Sequence, residues 1–198
     1  TSKDMAAYNA IMEIIERDAF MIHWLNNITP QKISKFELKS SDSDKIRRLL
    51  GEYEKYKIDF ELLDITTDLG VPVFMVAIRD IGPGRAVVYL ASRADLDIQR
   101  GIESVLAEGL RAGYWKDNQK SGITEEKAKT GNITGINERH AYWRDPTLYK
   151  HAEFLFSGEV KSIDLTKSFS QNYNELLARL GEIMLDKKIT AYLADVTT

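Results

Sequence analysis

Apolar residues recur at helical spacing from Asp4 to about Asn27, where Ile11, Ile14, Ile15, Ile22 and Leu25 share one broad face, and Pro30 closes the segment. Ser43-Asp44 caps a second predicted helix, Lys45 to about Tyr56, carrying Ile46, Leu49, Leu50 and Tyr53. Ile58 to Ile65 alternates as a strand does, Leu69 to Pro72 makes a turn, and Val73 to Ile78 has the continuous apolar run of a buried strand. Asp80 to Gly84 turns into another strand, Ala86 to Leu90, and Leu96 to about Ala112 returns to the helical period. Pro146 opens a short helix that Gly158 ends, Tyr173 to Leu185 is the last helix, and Ile189 to Val196 the last strand. This order predicts an α/β (α+β) fold, a mixed sheet covered by helices.

The chain also repeats itself. Moving from Lys57-Ile58 to Lys188-Ile189 is a shift of 131, and the same shift lays Arg48-Leu49 on Arg179-Leu180 and Leu62 on Leu193. It also lays Asp64-Ile65-Thr66-Thr67 on Asp195-Val196-Thr197-Thr198, so each unit, about 44–67 and 175–198, is a helix, a turn and a strand. In the first unit another buried strand follows, and in the second none does. Together with a start at Thr1 rather than Met, this leads us to expect that residues 1–198 are one partial domain of a longer protein. Between about 116 and 140 only Ile123, Ala128, Ile133 and Ile136 are apolar, which predicts a long polar loop.

Composition narrows the chemistry more than the fold. The 198 residues are 43% hydrophobic and 29% charged, ordinary for a folded domain, and the net charge of −3 argues against a nucleic-acid coat protein. With no cysteine there is no disulfide, thiolate nucleophile or cysteine zinc site, and His23, His140 and His151 are too scattered for a short metal motif. No apolar run reaches the roughly 20 residues that span a bilayer. Gly82-Pro83-Gly84 lacks the Walker pattern and reads as a hairpin turn, while His23 reads as a packed or surface residue. Trp115, Tyr142 and Trp143 flank the polar loop either as a recognition surface or as anchors.

Two polar stripes remain. Asn9, Glu13 and Glu16 on the first helix and Ser104, Glu108 and Arg111 on the helix from Leu96 both follow a spacing of four then three, which holds each set within about 60° of one face. Carboxylates converging from two helices suit a hard cation such as Mg²⁺ shared with phosphate oxygens, whose charge Arg17 and Arg111 would offset. The same stripes suit the solvated faces of two amphipathic helices, and spacing alone leaves both readings open.

Glu13-Ile14-Ile15-Glu16-Arg17-Asp18-Ala19 resembles the E-x-x-E-R-D-A signature of the YcaO superfamily, and Asp64 to Val73 is similar to its D-x-T-x-D-x-G-x-P-V stretch. Ile102 to Arg111 looks like the family's second glutamate helix, and Arg139 to Pro146, followed by Phe154-Leu155, resembles a stretch of its cyclodehydratases. The likeness implies an ATP- and Mg²⁺-using enzyme that phosphorylates backbone amides of a precursor peptide. Azoline formation at Cys, Ser or Thr is the expected outcome, as in thiazole/oxazole-modified bacteriocins, with thioamide or amidine formation as family variants. Against the family motifs S-x3-E-x2-E and N-x3-E-x2-Q, Glu13, Glu16 and Glu108 match metal-holding glutamates. Asn9 replaces Ser, Ser104 replaces Asn and Arg111 replaces Gln as nucleotide-side positions, with Arg17 beside them. No catalytic residue is assigned. The resemblance implies a cytoplasmic protein that meets a precursor peptide, with a peptide-delivering protein and a homodimer left open and no nucleic acid or membrane expected. The fragment alone is expected to be inactive, and the alternative is a degenerate peptide-binding scaffold.

Overall fold

Short polar side chains start the helices where the sequence places them. Ser2 accepts the Met5 N–H at 3.2 Å and opens α1, Lys3–Asn26, and Ser43 accepts the Ile46 N–H at 3.2 Å and opens α3, Asp44–Lys55. The computed structural model describes residues 2–82, 85–114, 146–165 and 172–194. The predicted polar loop, with Trp115, Tyr142 and Trp143, and the turn at 83–84 lie outside the described residues.

The remaining helices are α2, Lys35–Lys39, α4, Ile98–Tyr114, and α5, Tyr173–Asp186. The short helix expected after Pro146 is two 3-10 turns, Pro146–His151 and Glu153–Phe156. One five-stranded sheet runs in the order β4-β3-β2-β1-β5, from β1 Gln31–Ile33, β2 Asp59–Asp64, β3 Val73–Gly82, β4 Arg85–Ala94 and β5 Val160–Lys161. Among the described residues only β1 and β5 pair in parallel, so the sheet is mixed, as expected. β3 and β4 pair from Val73 with Ala94 out to Gly82 with Arg85, so both strands run past their sequence-based ends and make a hairpin at Gly82. β1, α2 and β5 escape the sequence reading because each is too short for a period to show.

Strand alternation sends Val73, Met75 and Ala77 to one face, where α1, α5 and the 3-10 turns cover them. Phe74, Val76 and Ile78 go to the other face, under α3 and α4. Helix α1 buries Tyr8, Met12, Ile15, Ala19 and His23, so the apolar face expected from Ile11, Ile14, Ile15, Ile22 and Leu25 is rotated about the axis. Ile14 and Leu25 are 68% and 67% exposed. The sequence count weighted large aliphatics, whereas the sheet accepts the side of α1 where Ala19 lets the backbone approach.

The repeat is real in its first two parts. Lys57 and Lys188 take φ of 51° and 57°, and Ile58 and Ile189 send N–H bonds back to Tyr53 O and Met184 O at 2.9 and 2.8 Å. After that the units diverge. β2 pairs on both sides, whereas residues 189–194 are exposed and belong to no strand, so the last strand of the sequence reading is not formed there. In the first unit the Asp64 carboxylate accepts the Thr66 N–H at 2.8 Å and the Thr66 hydroxyl accepts the Val73 N–H at 3.1 Å, which holds the turn between β2 and β3. The second Asp-x-Thr-Thr lies outside the described residues.

Gly109 sets how close α4 lies to the sheet: a Cβ there would stand 2.9 Å from Val76 Cγ1 and also strike the Tyr53 hydroxyl, which donates to Leu106 O at 2.9 Å. Gly109→Ala is therefore expected to lower stability by about 1–3 kcal/mol in urea unfolding despite its better helix propensity. Gly51→Ala and Gly181→Ala, with nothing within 4 Å, are the controls and should gain up to about 1 kcal/mol.

Candidate functional site

Among the described residues β4 is an edge strand, so its outward N–H groups have no neighbouring strand there to take them. Glu16, on the flank of α1, fills part of that gap. Its carboxylate accepts the Ser92 hydroxyl at 2.9 Å and the backbone N–H of Ala94. From the other face of the sheet α4 brings Glu108 close enough for its charge to be felt at Glu16. Burial pushes the Glu16 carboxyl above its ordinary 4.5, and Glu108 pushes it further. The Ser92 hydroxyl, the Arg93 charge and the Ala94 N–H pull the other way and do not overcome burial.

The last residue of one polar stripe, Glu16, thus feels the charge of the middle residue of the other, Glu108. Glu108 also acts on the half-buried Tyr89 of β4, whose hydroxyl is pushed up by burial first and by Glu108 second, with Arg111 opposing. Arg111 therefore faces the same rim. Asn9 and Ser104 are half-buried one turn before Glu13 and Glu108 on their helices. Glu13 and Arg17 pair with each other on the exposed side of α1, and the charge of Glu16 also reaches Arg17. Glu13 takes both Arg17 Nε, at 3.0 Å, and Nη2, at 2.7 Å, and the two side chains are 59% and 75% exposed. The reason is angular: at 100° per residue Glu13 sits 60° further from the buried face than Glu16 does. Among the described residues no three His, Asp or Glu side chains stand together as a metal cage, so the expected ligand set Glu13, Glu16 and Glu108 is not assembled as three. Glu16 and Glu108 are both carboxylates, the hard oxygen donors a divalent ion takes, and the charge of Glu108 reaches Glu16. His23 is buried with Nδ1 2.9 Å from Ala19 O, a packed residue as the sequence suggested.

Sequence reasoning missed the groups that hold this rim. Asp95, directly after β4, accepts the Tyr8 hydroxyl at 3.1 Å, the Asp97 N–H at 3.0 Å and the Arg100 guanidinium at 2.6 and 2.7 Å. Tyr8 O in turn accepts the Leu96 N–H at 3.2 Å, and Asp97 caps α4 by accepting the Arg100 N–H at 2.8 Å. Burial, with the Asp95 charge adding to it, pushes the Tyr8 phenol to about 12, so it remains a donor. One network therefore ties α1, β4 and the start of α4 together two residues from Arg93. Its available signal was Asp95-Leu96-Asp97, an Asp pair just ahead of a helical period.

The geometry agrees with what the chain is similar to. The family model described as YcaO cyclodehydratase, ATP- and Mg²⁺-binding, matches residues 1–198. Among curated proteins none matches. A heterocyclase solved in complex with substrate and cofactor superposes with a TM-score of 0.66 at 20% identity, over 94% of this chain and 24% of its own. The heterocyclase TruD gives 0.64 at 19% over the same shares, and YcaO from Methanopyrus kandleri, bound with AMPPCP and Mg²⁺, gives 0.57 at 13% over 93% and 45%. The chain thus spans about a quarter of the length of the two heterocyclases and under half of the third. These likenesses show the fold, and the match across all 198 residues shows that the chain belongs to the YcaO family, whose description is of ATP- and Mg²⁺-binding cyclodehydratases.

Proposed function

We propose that the chain is part of a cytoplasmic enzyme that uses ATP and Mg²⁺ to activate backbone amides of a precursor peptide, forming azolines from Cys, Ser or Thr in bacteriocin-type natural-product biosynthesis. The observation that carries this reading is that α1 and α4 flank the β4 rim with Glu16 and Glu108 near enough for the charge of Glu108 to reach Glu16, in a chain of this family. Mg²⁺ held there supplies positive charge to the phosphates of ATP, the main need of phosphoryl transfer. The chain's own part is to aim carboxylate oxygens from two rigid helices, with Asn9, Ser104 and Arg111 on the nucleotide side. Glu13 would join only by releasing Arg17. A cytoplasmic site of action follows from the demand for ATP, and the partners proposed are the precursor peptide, a protein that delivers it, and a second copy of the chain.

In the proposed reaction a Cys, Ser or Thr side chain adds through S or O to the preceding carbonyl carbon and loses its proton. The former amide oxygen takes the γ-phosphoryl group of ATP, releasing ADP. It then leaves as phosphate while the nitrogen gives up its proton to form the C=N bond. Incubating the intact protein with Mg-ATP and short Cys, Ser and Thr peptides should give products lighter by one water in mass spectrometry. ADP release with no mass loss on any peptide would sink the azoline assignment.

A second reading, a scaffold without turnover, draws on the outward Glu13–Arg17 pair and on Arg111 in place of Gln. Calorimetry separates the two, because a scaffold shows neither heat nor thermal stabilisation with Mg-ATP. The 198 residues alone are expected to hydrolyse no ATP above background.

A further inference from the structure

Arg93 stands between Ser92 and Ala94, the two residues whose hydroxyl and N–H hold the Glu16 carboxylate. It pairs across β3 with Phe74, so its side chain leaves the strand on the α4 face, yet its charge reaches Glu16, which comes from the α1 face. Arg93 therefore lies at the rim that the two carboxylates approach from opposite sides. Its Nε is shut off from solvent and has no hydrogen-bond partner among the described residues. A buried guanidinium donor left unmatched costs stability, and such groups in native proteins mark a missing ion or ligand. Glu16 does not fill the role, since its bonds go to Ser92 and Ala94. Of the cations that the sequence offers for phosphate, Arg17 is turned outward onto Glu13, whereas Arg111 stands exposed on α4 at the same rim.

We propose that Arg93 is the phosphate-binding residue of this rim, its Nε–H donating to a phosphate oxygen of the nucleotide whose metal Glu16 and Glu108 share. This rests on the nucleotide reading above. A guanidinium suits the task because its planar donors match phosphate oxygens in pairs and its charge does not titrate away.

The test is Arg93→Gln and Arg93→Lys in the intact protein, with Mg-ATP affinity by calorimetry and ligand-free melting measured together. Arg93→Gln should bind Mg-ATP about 10- to 100-fold more weakly, while the ligand-free protein melts no lower than wild type because the orphaned donor is gone. Arg93→Lys should recover part of the affinity. If Arg93→Gln binds Mg-ATP as wild type does, or loses stability and affinity together with no rescue by Lys, Arg93 is a structural residue and the proposal fails. If wild type itself binds no Mg-ATP, the nucleotide reading fails first and takes this one with it.

Discussion

Asp95→Ala should lower folding stability by about 3–5 kcal/mol, seen as a lower urea midpoint with an unchanged slope. The side chain of Asp95 is 3% exposed and serves four donors at once: Tyr8, the Asp97 N–H and two nitrogens of Arg100. Removing it takes the two-nitrogen partner from a 24% exposed guanidinium and leaves it the more weakly felt charge of Asp97, so the lost charge compensation dominates the cost. Asp95 and Tyr8 together hold Arg100 well above the ordinary guanidinium value, so Arg100 cannot escape by losing its proton. Asp95→Asn keeps an acceptor for Tyr8 and Asp97 but removes the charge that Arg100 pairs with, and should fall between wild type and Ala. A loss below about 1 kcal/mol for Asp95→Ala would mean that the network does not lock α1 to α4. The rim would then have to be positioned by core packing alone.

That network also explains how much of the site could be read from residues in order. Glu16 and Glu108 are legible because helical spacing places them on stripes that one sequence displays. Their meeting is not, because it depends on β4 being the sheet edge and on Asp95 bridging 87 residues to Tyr8, facts of topology rather than period. Glu13 shows the limit of the stripe argument. It shares the stripe with Glu16, yet 60° of rotation separates a carboxylate held by β4 from one paired with Arg17 in solvent. The repeat had the opposite fate. Its helix and its left-handed cap at Lys57 and Lys188 form from local sequence alone and recur faithfully. Its strand needs partners, which β2 has in β1 and β3 and residues 189–194 lack among the described residues. Local signals were honoured wherever local hydrogen bonds sufficed, and overruled where the sheet decided.

Glu16→Gln is expected to separate activity from stability. Mg²⁺-dependent ATP turnover by the intact protein should fall about 100-fold or more, as expected when one of two carboxylates that position the metal becomes neutral. Stability should move the other way at neutral pH. The folded protein raises the proton affinity of Glu16 by burial, with Glu108 adding to it, so this side chain favours the fold fully below its ordinary 4.5. That contribution fades as pH rises through the raised folded value, above which a charged, half-buried carboxylate must be carried. Gln removes the charge while keeping an oxygen for the Ser92 hydroxyl and the Ala94 N–H. The variant should therefore match wild type near pH 4 and exceed it increasingly toward pH 7, in urea midpoints taken across that range. Glu108→Gln should lower the Glu16 proton affinity and recover part of the same stability with its own loss of turnover. A cation bound beside Glu16 would offset the cost of carrying that half-buried carboxylate charged. If Glu16→Gln instead loses stability at pH 7 while turnover persists, Glu16 serves as a cap for the β4 edge and the metal must be sought elsewhere in the chain.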